Sequence, residues 1–437
     1  MSNKLSILKY YLTFRYRRFH SRKDLTEFQQ KKIRSHLRLI TEKSLFYHIY
    51  RNKELQDFPV IDKKIMMDNF DIINTVGINK DDAAAFAIDS ERTRSFSPEL
   101  HNITVGLSSG TSYSRGIFLV ENTEKEKWAG FVLAKFLKRG IAAKYNVAFF
   151  MRANSNLYES VGSRNIHFEF FDIYADPSEN LKKLNNFDAD IIVAQPSLLL
   201  MIAEEINQGR LSVHPETVIS IAEVLEKEDE KILRSAFGTD VIHQVYQCTE
   251  GCLAATCRYG TLHLNEDIVH IEKEYLDDKR FIPIITDFER TSQPIIRYRL
   301  NDVLVEKKNT CPCGCVYTAL EKIEGREDDI FEMEGNDGQI VKIFPDFIRR
   351  CILFSGEITD YRIQQMPDGS IQIFADIDDD RKTRVREEFE KMSIDKGFRL
   401  PPIRFNAYSY DKSRKLKRVE KVTSLINYSD MCPELNP

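Results

Sequence analysis

Hydroxyl-bearing side chains are concentrated around one glycine at residues 107–116, where the chain reads LSSGTSYSRG. A loop of this composition can turn backbone N–H groups and hydroxyls toward phosphate oxygens, and a nearby cation can offset their charge. The residues with these capacities are Ser108, Ser109, Gly110, Thr111, Ser112 and Arg115. The stretch is not a Walker A loop, because no Gly-Lys-Ser/Thr follows at the required offset. A Ser-rich hairpin turn is the structural alternative.

A second group of chemically capable residues is built on cysteine. Residues 311–315 read CPCGC, and residues 252–263 contain two more cysteines and a histidine. Four soft ligands in two pairs suit tetrahedral Zn²⁺ with a structural role, whereas free buried thiols are the alternative. We predict a zinc site made by Cys257, His263, Cys311 and Cys313, with Cys252 and Cys315 as substitutes.

Four further polar stretches occur at 245–251 (VYQCTEG), 296–302 (IRYRLND), 323–329 (IEGREDD) and 412–419 (KSRKLKRV). A carboxylate beside a hydroxyl, as at Thr249 and Glu250, can hold Mg²⁺ that is bound to phosphates. Asp302 is placed to accept hydrogen bonds from ribose hydroxyls if it ends a strand. Each stretch taken alone is also typical of a surface loop.

The elements that must position these residues alternate between strand and helix from about residue 70 to 300. Strands are predicted at 103–107, 117–120, 146–150, 167–171, 189–194 and 218–221, and helices at 196–208 and 228–236. This alternation favours an α/β domain with a partly parallel sheet, whose ligands lie beyond the carboxyl ends of the strands.

The two ends of the chain differ from this middle part. Helical spacing of Leu5, Leu8, Tyr11, Leu12 and Tyr16 predicts one N-terminal helix, and a second is predicted over 25–50. Basic residues there are interpreted as a solvated face, with membrane-surface attachment as the alternative. After about residue 330, a hairpin (359–365 with 370–375), a helix (380–392) and a strand (403–408) predict a small α+β domain. The predicted domains are 1–60, 61–327 and 328–437.

Composition narrows the classes of function. The 437 residues carry 63 basic and 67 acidic side chains, so charge gives no reason to expect nucleic acid as a partner. No apolar run approaches the roughly 18 residues of a membrane span, and no signal peptide is recognised. Eight cysteines in a chain of this length indicate thiols and a metal rather than disulfides. We expect a cytoplasmic protein, and a homodimer is compatible with the sequence.

Taken in order, the five polar stretches resemble the core motifs of the adenylate-forming superfamily of acyl-CoA synthetases, peptide-synthetase adenylation domains and luciferases. The family's Tyr-Gly-x-Thr-Glu resembles 246–250, Tyr-Arg-x-x-Asp resembles 298–302 and Gly-Arg-x-Asp-Asp resembles 325–329. Its phosphate loop resembles 108–116, although Tyr113, Ser114 and Arg115 stand where Gly, Pro and Lys are usual. The C-terminal stretch is similar to that of phenylacetate-CoA ligase and coenzyme F390 synthetase. The resemblance spans about residues 58–420.

The resemblance implies a large α/β adenylation domain with mixed sheets and a small mobile α+β domain. ATP phosphates would meet the 108–116 loop, with Thr111 the best-placed hydroxyl, and Glu250 would carry Mg²⁺. Asp302 and Arg326 would bind ribose, while Ala222, Glu223 and Tyr246 would lie against adenine. Lys415, with Lys417 as competitor, would stabilise the adenylation transition state, since charge there must be offset. Asp328 would be the hinge, and zinc is frequent in this subgroup.

The implied reaction is ATP-dependent activation of an aromatic or small hydrophobic acid as its acyl-adenylate. The acid pocket would involve residues near Phe149, Phe150, Arg152, Asn154 and Tyr158. The acceptor stays open between coenzyme A, a carrier-protein thiol and an amine. Two alternatives remain: a non-catalytic relative that binds a nucleotide or a protein partner, and a nucleotidyl transferase of the F390-synthetase type.

Overall fold

A computed structural model describes residues 4–93, 99–108, 115–151, 160–173, 175–356, 358, 360–409 and 417–422. The chain divides into two compact units. Unit 1 comprises Met1–Leu300 and Leu304–Ile323, and unit 2 comprises Asn301–Val303 and Glu324–Pro437. Both units combine helices with sheets, as the predicted α/β and α+β classes require.

Unit 1 is organised around one mixed sheet, which has twelve strands within the described residues. Its strands are β4 Tyr145–Met151, β5 Ile166–Asp172, β6 Ile191–Ala194, β7 Thr217–Ser220, β8 Ile242–Cys248, β9 Gly251–Thr256, β10 Leu262–Leu264, β11 Val269–Tyr275, β12 Arg280–Asp287, β13 Ile295–Arg299, β14 Asp302–Glu306 and β15 Ala319–Arg326. The order is β11-β12-β14-β15-β10-β9-β8-β7-β6-β4-β5, with β13 paired to β12. Strands β4 to β8 pair in parallel, whereas β8 and β9 form an antiparallel hairpin. The predicted parallel part is therefore confirmed.

A smaller antiparallel sheet holds the ends of the Ser-rich loop. It consists of β1 Glu99–Leu100, β2 Ile103–Leu107 and β3 Ile117–Val120. Leu107 pairs with Ile117, so the loop joins two adjacent strands as a hairpin connection. The bounds of both predicted strands are confirmed.

Helices cover the sheets of unit 1. They are α1 Lys4–Tyr16, α2 Arg22–Lys43, α3 Lys63–Asp68, α4 Phe70–Ile73, α5 Lys80–Arg92, α6 Asn122–Phe136, α7 Pro177–Phe187, α8 Pro196–Asn207 and α9 Lys227–Phe237, with 3-10 turns at His48–Tyr50 and Leu55–Asp57. The prediction of one helix over 25–50 was wrong at its end. The helix stops at Lys43 because Ser44 takes an extended conformation at the C-cap.

In the N-terminal helix α1, only some of the apolar residues at helical spacing are buried. Ile7, Tyr11 and Phe14 are buried, whereas Leu5 and Tyr16 are 77% and 73% exposed. The close approach to α6 depends on Gly130, where an added Cβ would lie 2.6 Å from the Cβ of Tyr10. The apolar residues at helical spacing therefore form two stripes, and one of them remains at the surface.

Part of the basic cluster at residues 15–22 contacts α6 and the β10–β11 loop, which corrects its interpretation as a solvated face. Arg22 forms a bidentate pair with Glu266, at 2.6 and 2.9 Å. Arg17 donates to the carbonyl oxygen of Asp267 at 2.9 Å, and Arg15 donates to that of Ala134 at 3.1 Å. These contacts attach the N-terminal segment to unit 1.

Unit 2 has its own core of apolar side chains. A two-stranded sheet contains β16 Phe331–Glu334 and β17 Ile340–Ile343, and a four-stranded sheet contains β18 Arg362–Gln365, β19 Ile371–Phe374, β20 Ile403–Asn406 and β21 Val419–Lys421. The helices are α10 Pro345–Leu353 and α11 Asp379–Lys396, with a 3-10 turn at Glu327–Asp329. The predicted hairpin is confirmed as β18 and β19. In the part of the chain that is described, no helix combines the length and apolarity of a membrane span.

Candidate active site and metal centre

Glu250 lies in the tight turn between β8 and β9, where Cys248 pairs with Gly251. The hydroxyl of Thr249 donates to Glu250 Oε2 at 2.8 Å, and the phenol of Tyr298 donates to Oε1 at 3.0 Å. Tyr298 is buried in β13, and this burial, together with the nearby Glu250 carboxylate, raises the pKa of its phenol. The phenol therefore keeps its proton and can hold the carboxylate in one orientation.

Arg290 connects this turn to the small sheet. Its guanidinium donates to the carbonyl oxygens of Thr249 and Leu119. Gln293 is buried beside it, accepts the Leu119 N–H at 3.0 Å and donates to the Ile117 carbonyl oxygen at 3.0 Å. These buried hydrogen bonds join β3, and thus one end of the Ser-rich loop, to the turn that carries Glu250.

Gly251 allows the turn to lie close to a buried carboxyl group. A Cβ at this position would be 3.2 Å from Asp287 Oδ2, which is tighter than ordinary van der Waals contact. Burial raises the pKa of Asp287 to about 7, while the nearby Arg290 guanidinium acts in the opposite direction. A titratable group therefore lies directly behind the Glu250 turn.

The two described ends of the Ser-rich loop are tied together. Ser108 N donates to the Gly116 carbonyl oxygen, and Gly116 N donates to Ser108 Oγ, both at 2.7 Å. Arg115, predicted to meet phosphate, forms a bidentate pair with Glu91 with both distances at 2.6 Å. Its phosphate role stays a prediction, and in this structure its guanidinium is occupied by a carboxylate. Ser109, Gly110, Thr111 and Ser112 lie outside the described residues.

A shallow cleft that is open to solvent lies beside Glu250. Its walls include Lys63, Met67, Gly116, Glu250, Gln293 and Tyr298. These residues come from segments far apart in sequence, namely α3, the loop end before β3, the β8–β9 turn, the β12–β13 connection and β13. The cleft therefore combines a lysine, a carboxylate and the end of the Ser-rich loop.

Lys63 was missed by the sequence analysis, because it lies outside the five polar stretches, in the segment of residues 58–63 that leads into α3. The segment is docked on β13, where Ile61 N donates to the Arg297 carbonyl oxygen at 3.0 Å. The Arg297 guanidinium in turn donates to the Phe58 carbonyl oxygen at 2.8 Å. Lysine is a common surface residue, and its sequence neighbours carry no signal of this docking. Only the fold places it in the cleft wall.

The predicted adenine-contacting residues lie at one edge of the sheet. Ser220 of β7 pairs in parallel with Gln244 of β8, and Ala222 and Tyr246 each follow by two residues. Ala222 has φ +67°, a left-handed conformation that costs energy for a residue with a Cβ. The Glu223 carboxylate accepts the N–H of Ser197 at 3.3 Å. Ala222 thus follows the end of β7, and Tyr246 lies two residues before the end of the neighbouring β8; their contact with adenine stays a prediction.

The predicted ribose and hinge residues belong to unit 2. Asp302 begins strand β14, and its neighbour Asn301 donates its side-chain amide to Asp328 Oδ2 at 2.8 Å. Glu327 N donates to the Asn301 carbonyl oxygen at 2.6 Å. These bonds bring the segment containing Asp302 next to the segment containing Arg326 and Asp328.

Of the two competing lysines, Lys417 has a defined partner within unit 2. Its ammonium lies 2.7 Å from Asp329 Oδ1 and 3.8 Å from Glu420 Oε1. Burial raises the pKa of Asp329, and the ammonium of Lys417 opposes that shift. Lys417 is therefore occupied in an ion pair, whereas Lys415 lies outside the described residues.

The aromatic residues proposed for the acid pocket are part of the strand packing. Phe150 is buried and stacks on Phe171 with ring centroids 4.4 Å apart. Phe149 is also buried and contacts Phe168 at 5.3 Å. Their role in acid recognition stays a prediction, and Arg152, Asn154 and Tyr158 lie outside the described residues.

Four side chains predicted as zinc ligands come together in unit 1. The ligand atoms of Cys257, His263, Cys311 and Cys313 all lie within 4.8 Å of one another. The sulfur atoms of Cys257 and Cys311 are 3.7 Å apart, and Cys313 Sγ is 3.4 Å from His263 Nε2. His263 Nδ1 lies 3.4 Å from the Tyr317 carbonyl oxygen, which can fix the ring orientation.

Local turns explain why the cysteines converge. Gly260, with φ +76°, lies between Cys257 and His263, and Gly314, with φ +74°, follows Cys313, so each turn contains a glycine in the left-handed region. The backbone N–H two residues after Cys257, and that two residues after Cys313, donates to the preceding sulfur at 3.4 Å. Such N–H donors stabilise thiolates, which are the form that binds metal.

The cluster also perturbs the protonation of its members. Burial opposes ionisation, but hydrogen bonds with Thr261, Cys313 and His263 lower the pKa of Cys311 to about 6. Burial raises the pKa of Cys313 to about 12, and its interactions with the nearby Cys311 and Cys257 thiols add to this shift. A cation bound by these thiols would favour their ionised form, which is the form that binds metal.

The two substitute cysteines are not members of this four-residue cluster. Cys252 is buried, where Asn265 donates to its carbonyl oxygen at 3.0 Å and to its sulfur at 3.6 Å. Burial raises the pKa of Cys252 to about 12. Burial also raises the pKa of Cys315, whose backbone N–H supports Cys313.

Comparison with known proteins gives one similar sequence. No protein-family model matches the chain. An indoleacetate–lysine synthetase of Pseudomonas savastanoi is 28% identical over 167 residues, which are 36% of this chain and 40% of the synthetase. The match thus spans less than half of either protein.

Solved structures extend the similarity to nearly the whole chain. A 2-hydroxyisobutyryl-CoA ligase in the post-adenylation state, in complex with 2-HIB-AMP, is 16% identical with a TM-score of 0.65, covering 92% of this chain and 89% of that chain. The GH3.15 acyl acid amido synthetase is 13% identical with a TM-score of 0.58, covering 92% and 93%. At these identities the likeness shows the fold. The chain therefore has the fold of the adenylate-forming acid ligases, as its motifs predict.

Proposed function

We propose that this protein is an ATP-dependent acid ligase that converts a carboxylic acid to its acyl-adenylate and then transfers the acyl group. The observation that carries the proposal is the Glu250 carboxylate, oriented by Thr249 and Tyr298 beside a cleft. A fixed carboxylate next to the end of a hydroxyl-rich loop suits a site for nucleotide phosphates and their Mg²⁺. The fold, shared with acid-activating ligases, supports the same conclusion.

In the first step, an oxygen of the acid attacks the α-phosphorus of ATP, and the bond to pyrophosphate breaks. In the second, a thiol or amine attacks the acyl carbon, loses its proton and displaces AMP. Glu250 and Thr249 would hold Mg²⁺, which neutralises phosphate charge when bound. Tyr298 and Arg290 keep the carboxylate turn in place, so little reorganisation is needed when charge develops.

Unit 2 would supply the adenylation lysine. We assign this role to Lys415 rather than Lys417, because the Lys417 ammonium is already paired with Asp329 at 2.7 Å. Asp302 and Arg326 would bind ribose, Asp328 would be the hinge, and the segments 1–60, 61–327 and 328–437 would be the functional parts. These assignments rest on the motif resemblance, and the Asn301–Asp328 hydrogen bond agrees with them by joining two of the motifs.

For the acceptor, we favour an amine. The similar sequence is an indoleacetate–lysine synthetase, and one structural relative is an amido synthetase. A thiol of coenzyme A is the second candidate, since the 2-hydroxyisobutyryl-CoA ligase shares the fold over 92% of the chain. The acid is proposed to be aromatic or small and hydrophobic.

We further propose structural zinc at the Cys–His cluster. Three sulfurs and one imidazole nitrogen within 4.8 Å of one another provide a closed tetrahedral donor set, with no position left for substrate. When bound, the metal would supply stability rather than reactivity. It would join the turn after β9 to the CPCGC turn between β14 and β15.

Pyrophosphate–ATP exchange tests the proposed activity directly. Purified protein with ATP, Mg²⁺ and a panel of aryl and short alkyl acids should show exchange that depends on one class of acid. Products formed with lysine, other amino acids or coenzyme A, identified by mass spectrometry, then decide the acceptor. Exchange without any acid dependence would instead favour nucleotidyl transfer, and absence of exchange would favour a binding protein.

Lys415→Ala should reduce acid-dependent exchange by about three orders of magnitude, because a charge that acts in the transition state is lost. Lys417→Ala is the matched control two residues away, and should change the rate by less than about tenfold because its ion pair is partly exposed. The reverse ranking of the two variants would transfer the role to Lys417.

A further inference from the structure

We propose that the outer face of helix α1 binds an anionic lipid surface, and that this contact holds the protein reversibly against a membrane. None of the residues of this face belongs to the proposed active site or to the Cys–His cluster, so its role does not depend on the ligase activity. The face consists of four exposed apolar residues, which we call the outer stripe: Leu5, Leu8, Leu12 and Tyr16.

The four residues of the outer stripe share one side of the helix. At about 100° per residue they fall within about 80° of arc, on the side opposite to the buried Ile7, Tyr11 and Phe14. Their side chains are between 38% and 77% exposed. Single apolar side chains are ordinary at protein surfaces, whereas several aligned along one helix are typical of an interaction surface.

The inner face of α1 fixes the direction of the outer stripe. The rings of Phe14 and of Phe131 on α6 meet edge to face, with centroids 5.1 Å apart. A Cβ added to Gly130 of α6 would lie 3.0 Å from the Ile7 carbonyl oxygen and 2.8 Å from the Tyr11 nitrogen. The helix therefore cannot rotate to bury the outer stripe without losing this packing, and the stripe is preorganised for a partner.

Charge around the outer stripe favours an anionic partner. Residues 1–23 contain seven basic and no acidic side chains. Three of the arginines bind other parts of unit 1, whereas Lys4 and Lys9 are exposed and flank the outer stripe, one on each side. Such a face suits the boundary of an anionic membrane, where apolar side chains enter the lipid and ammonium groups stay among the head groups.

The same charges disfavour a second copy of this chain as the occupant. Two copies packed through their outer stripes would bring the lysine flanks together, and residues 1–23 offer no acidic side chain to pair with them. Like charges across an interface cost affinity, whereas an anionic membrane attracts both flanks. The lipid surface is therefore the occupant that the charges select.

Co-sedimentation of the full-length protein with lipid vesicles tests the proposal. The protein should bind vesicles made of equal parts phosphatidylcholine and phosphatidylglycerol, and should bind vesicles of phosphatidylcholine alone more weakly. Added salt should weaken binding to the anionic vesicles only, because it screens the lysines.

Two double variants separate the apolar contribution from the charge. Leu8→Gln/Leu12→Gln should lower the affinity for anionic vesicles about 10- to 100-fold, since two leucines no longer enter the lipid. Lys4→Gln/Lys9→Gln should lower it about 5- to 30-fold and leave binding to neutral vesicles unchanged. The matched control should bind like the wild type, because it removes two exposed apolar side chains from helices α9 and α11, which have acidic residues in their first turns: Ile232→Gln/Ile394→Gln.

Absence of binding to anionic vesicles at low salt would overturn the proposal, as would an affinity that the leucine variant leaves unchanged. Sedimentation velocity without lipid tests the second copy. A wild-type dimer that the leucine variant converts to a monomer, without any vesicle binding, would overturn the proposal in favour of self-association. Thermal melting detects misfolding, and if the leucine variant melts early, the lysine variant decides the outcome. Acid-dependent exchange should stay within about twofold of the wild type in both, because they alter only the surface.

Discussion

The cleft beside Glu250 and the Cys–His cluster lie in the same unit but are built in opposite ways. The cluster is made from two short turns, 257–263 and 311–315, and each turn is shaped by its own glycine and backbone donor. The cleft is made from residues of α3, the end of the β2–β3 loop with β3, the β8–β9 turn, and the segment from Gln293 to β13. One site is specified locally, and the other exists only when the whole unit is folded.

This difference suits the two regions to different purposes: the cluster to stability and the cleft to chemistry. Closed sets of sulfur and nitrogen ligands stabilise a fold when they bind metal, and they leave no position for a substrate. The cleft instead keeps an oriented carboxylate accessible, with buried polar groups such as Gln293 committed to holding its walls. Damage to the cluster should therefore lower stability first, whereas damage to the cleft should lower the reaction rate first.

Among variants of these two regions, Glu250→Gln should have the largest effect, a loss of acid-dependent exchange. The amide can still accept the Tyr298 hydrogen bond, but it lacks the charge needed to hold Mg²⁺. We expect acid-dependent exchange to fall about 100- to 1,000-fold, the range for loss of a preorganised charge at a reacting phosphate. Zinc content and the melting temperature should stay close to those of the wild type.

Glu274→Gln is the control for this variant, because Glu274 is an exposed carboxylate on β11 that pairs with Arg299. It should retain exchange within about twofold, as expected for a surface ion pair. If Glu250→Gln lowered the melting temperature as much as it lowered the rate, Glu250 would have a structural role and the contrast between the two regions would not hold.

The second effect in size should follow replacement of Cys311 and Cys313 by serine. Wild-type protein should contain about one zinc per chain, and the double variant should contain none, because two of four ligands are lost. The melting temperature should decrease by about 5–10 °C, since metal binding contributes to folding free energy. Exchange per folded molecule should decrease less than in Glu250→Gln.

Cys315→Ser provides the matched control, because this cysteine is in the same turn but is not a member of the four-residue cluster. It should keep both zinc and stability. Elemental analysis together with thermal melting checks the pair of variants. Zinc retained in the double variant would show that the metal uses other ligands, with Cys252 and Cys315 the first to examine.

The Cys–His cluster and the cleft also differ in how well the sequence predicts their residues. The four residues of the cluster could be predicted to come together because cysteine is rare and its spacing within each turn is short. Strands such as β2 and β3 could be predicted from apolar runs beside a loop, and their bounds agree with the structure. The fold class followed from alternation and from motifs that resemble a known family.

Residues whose partners are distant in sequence could not be predicted. Arg290 and Gln293 have ordinary polar side chains, and only the packing of β3 against the β8–β9 turn gives them partners. Arg22 was interpreted as solvated because its partner Glu266 is 244 residues away. The second helix was extended too far because apolar spacing continues after Ser44, where the backbone leaves the helix.

The smallest effect concerns the carboxyl group behind the Glu250 turn. Burial raises the pKa of Asp287 to about 7 in the folded chain, whereas an unfolded Asp has a pKa of about 3.9. The folded state therefore binds more protons between these values, so the free energy of unfolding should fall as pH rises from about 4 to 7. The asparagine of Asp287→Asn cannot ionise, so the free energy of unfolding of this variant should change less between about pH 4 and 7. The difference from the wild type should be about 2 kcal/mol, which is about half of what roughly 1.4 kcal/mol per pKa unit would give.

Denaturant titrations across this pH range measure the difference between Asp287→Asn and the wild type. Asp277→Asn is the control with a pKa shift of the opposite direction. Burial of Asp277 is outweighed by hydrogen bonds from Lys279 and Arg280, which lower its pKa. Its stabilising contribution is present above about pH 3.9 and is lost as the pH falls through the lower folded value, so its removal matters most near neutral pH. Since Asp287 lies on the cleft side, the serine variants of the cluster should keep the wild-type slope. A slope shared by Asp287→Asn and wild type would mean that Asp287 is ionised throughout, held by Arg290.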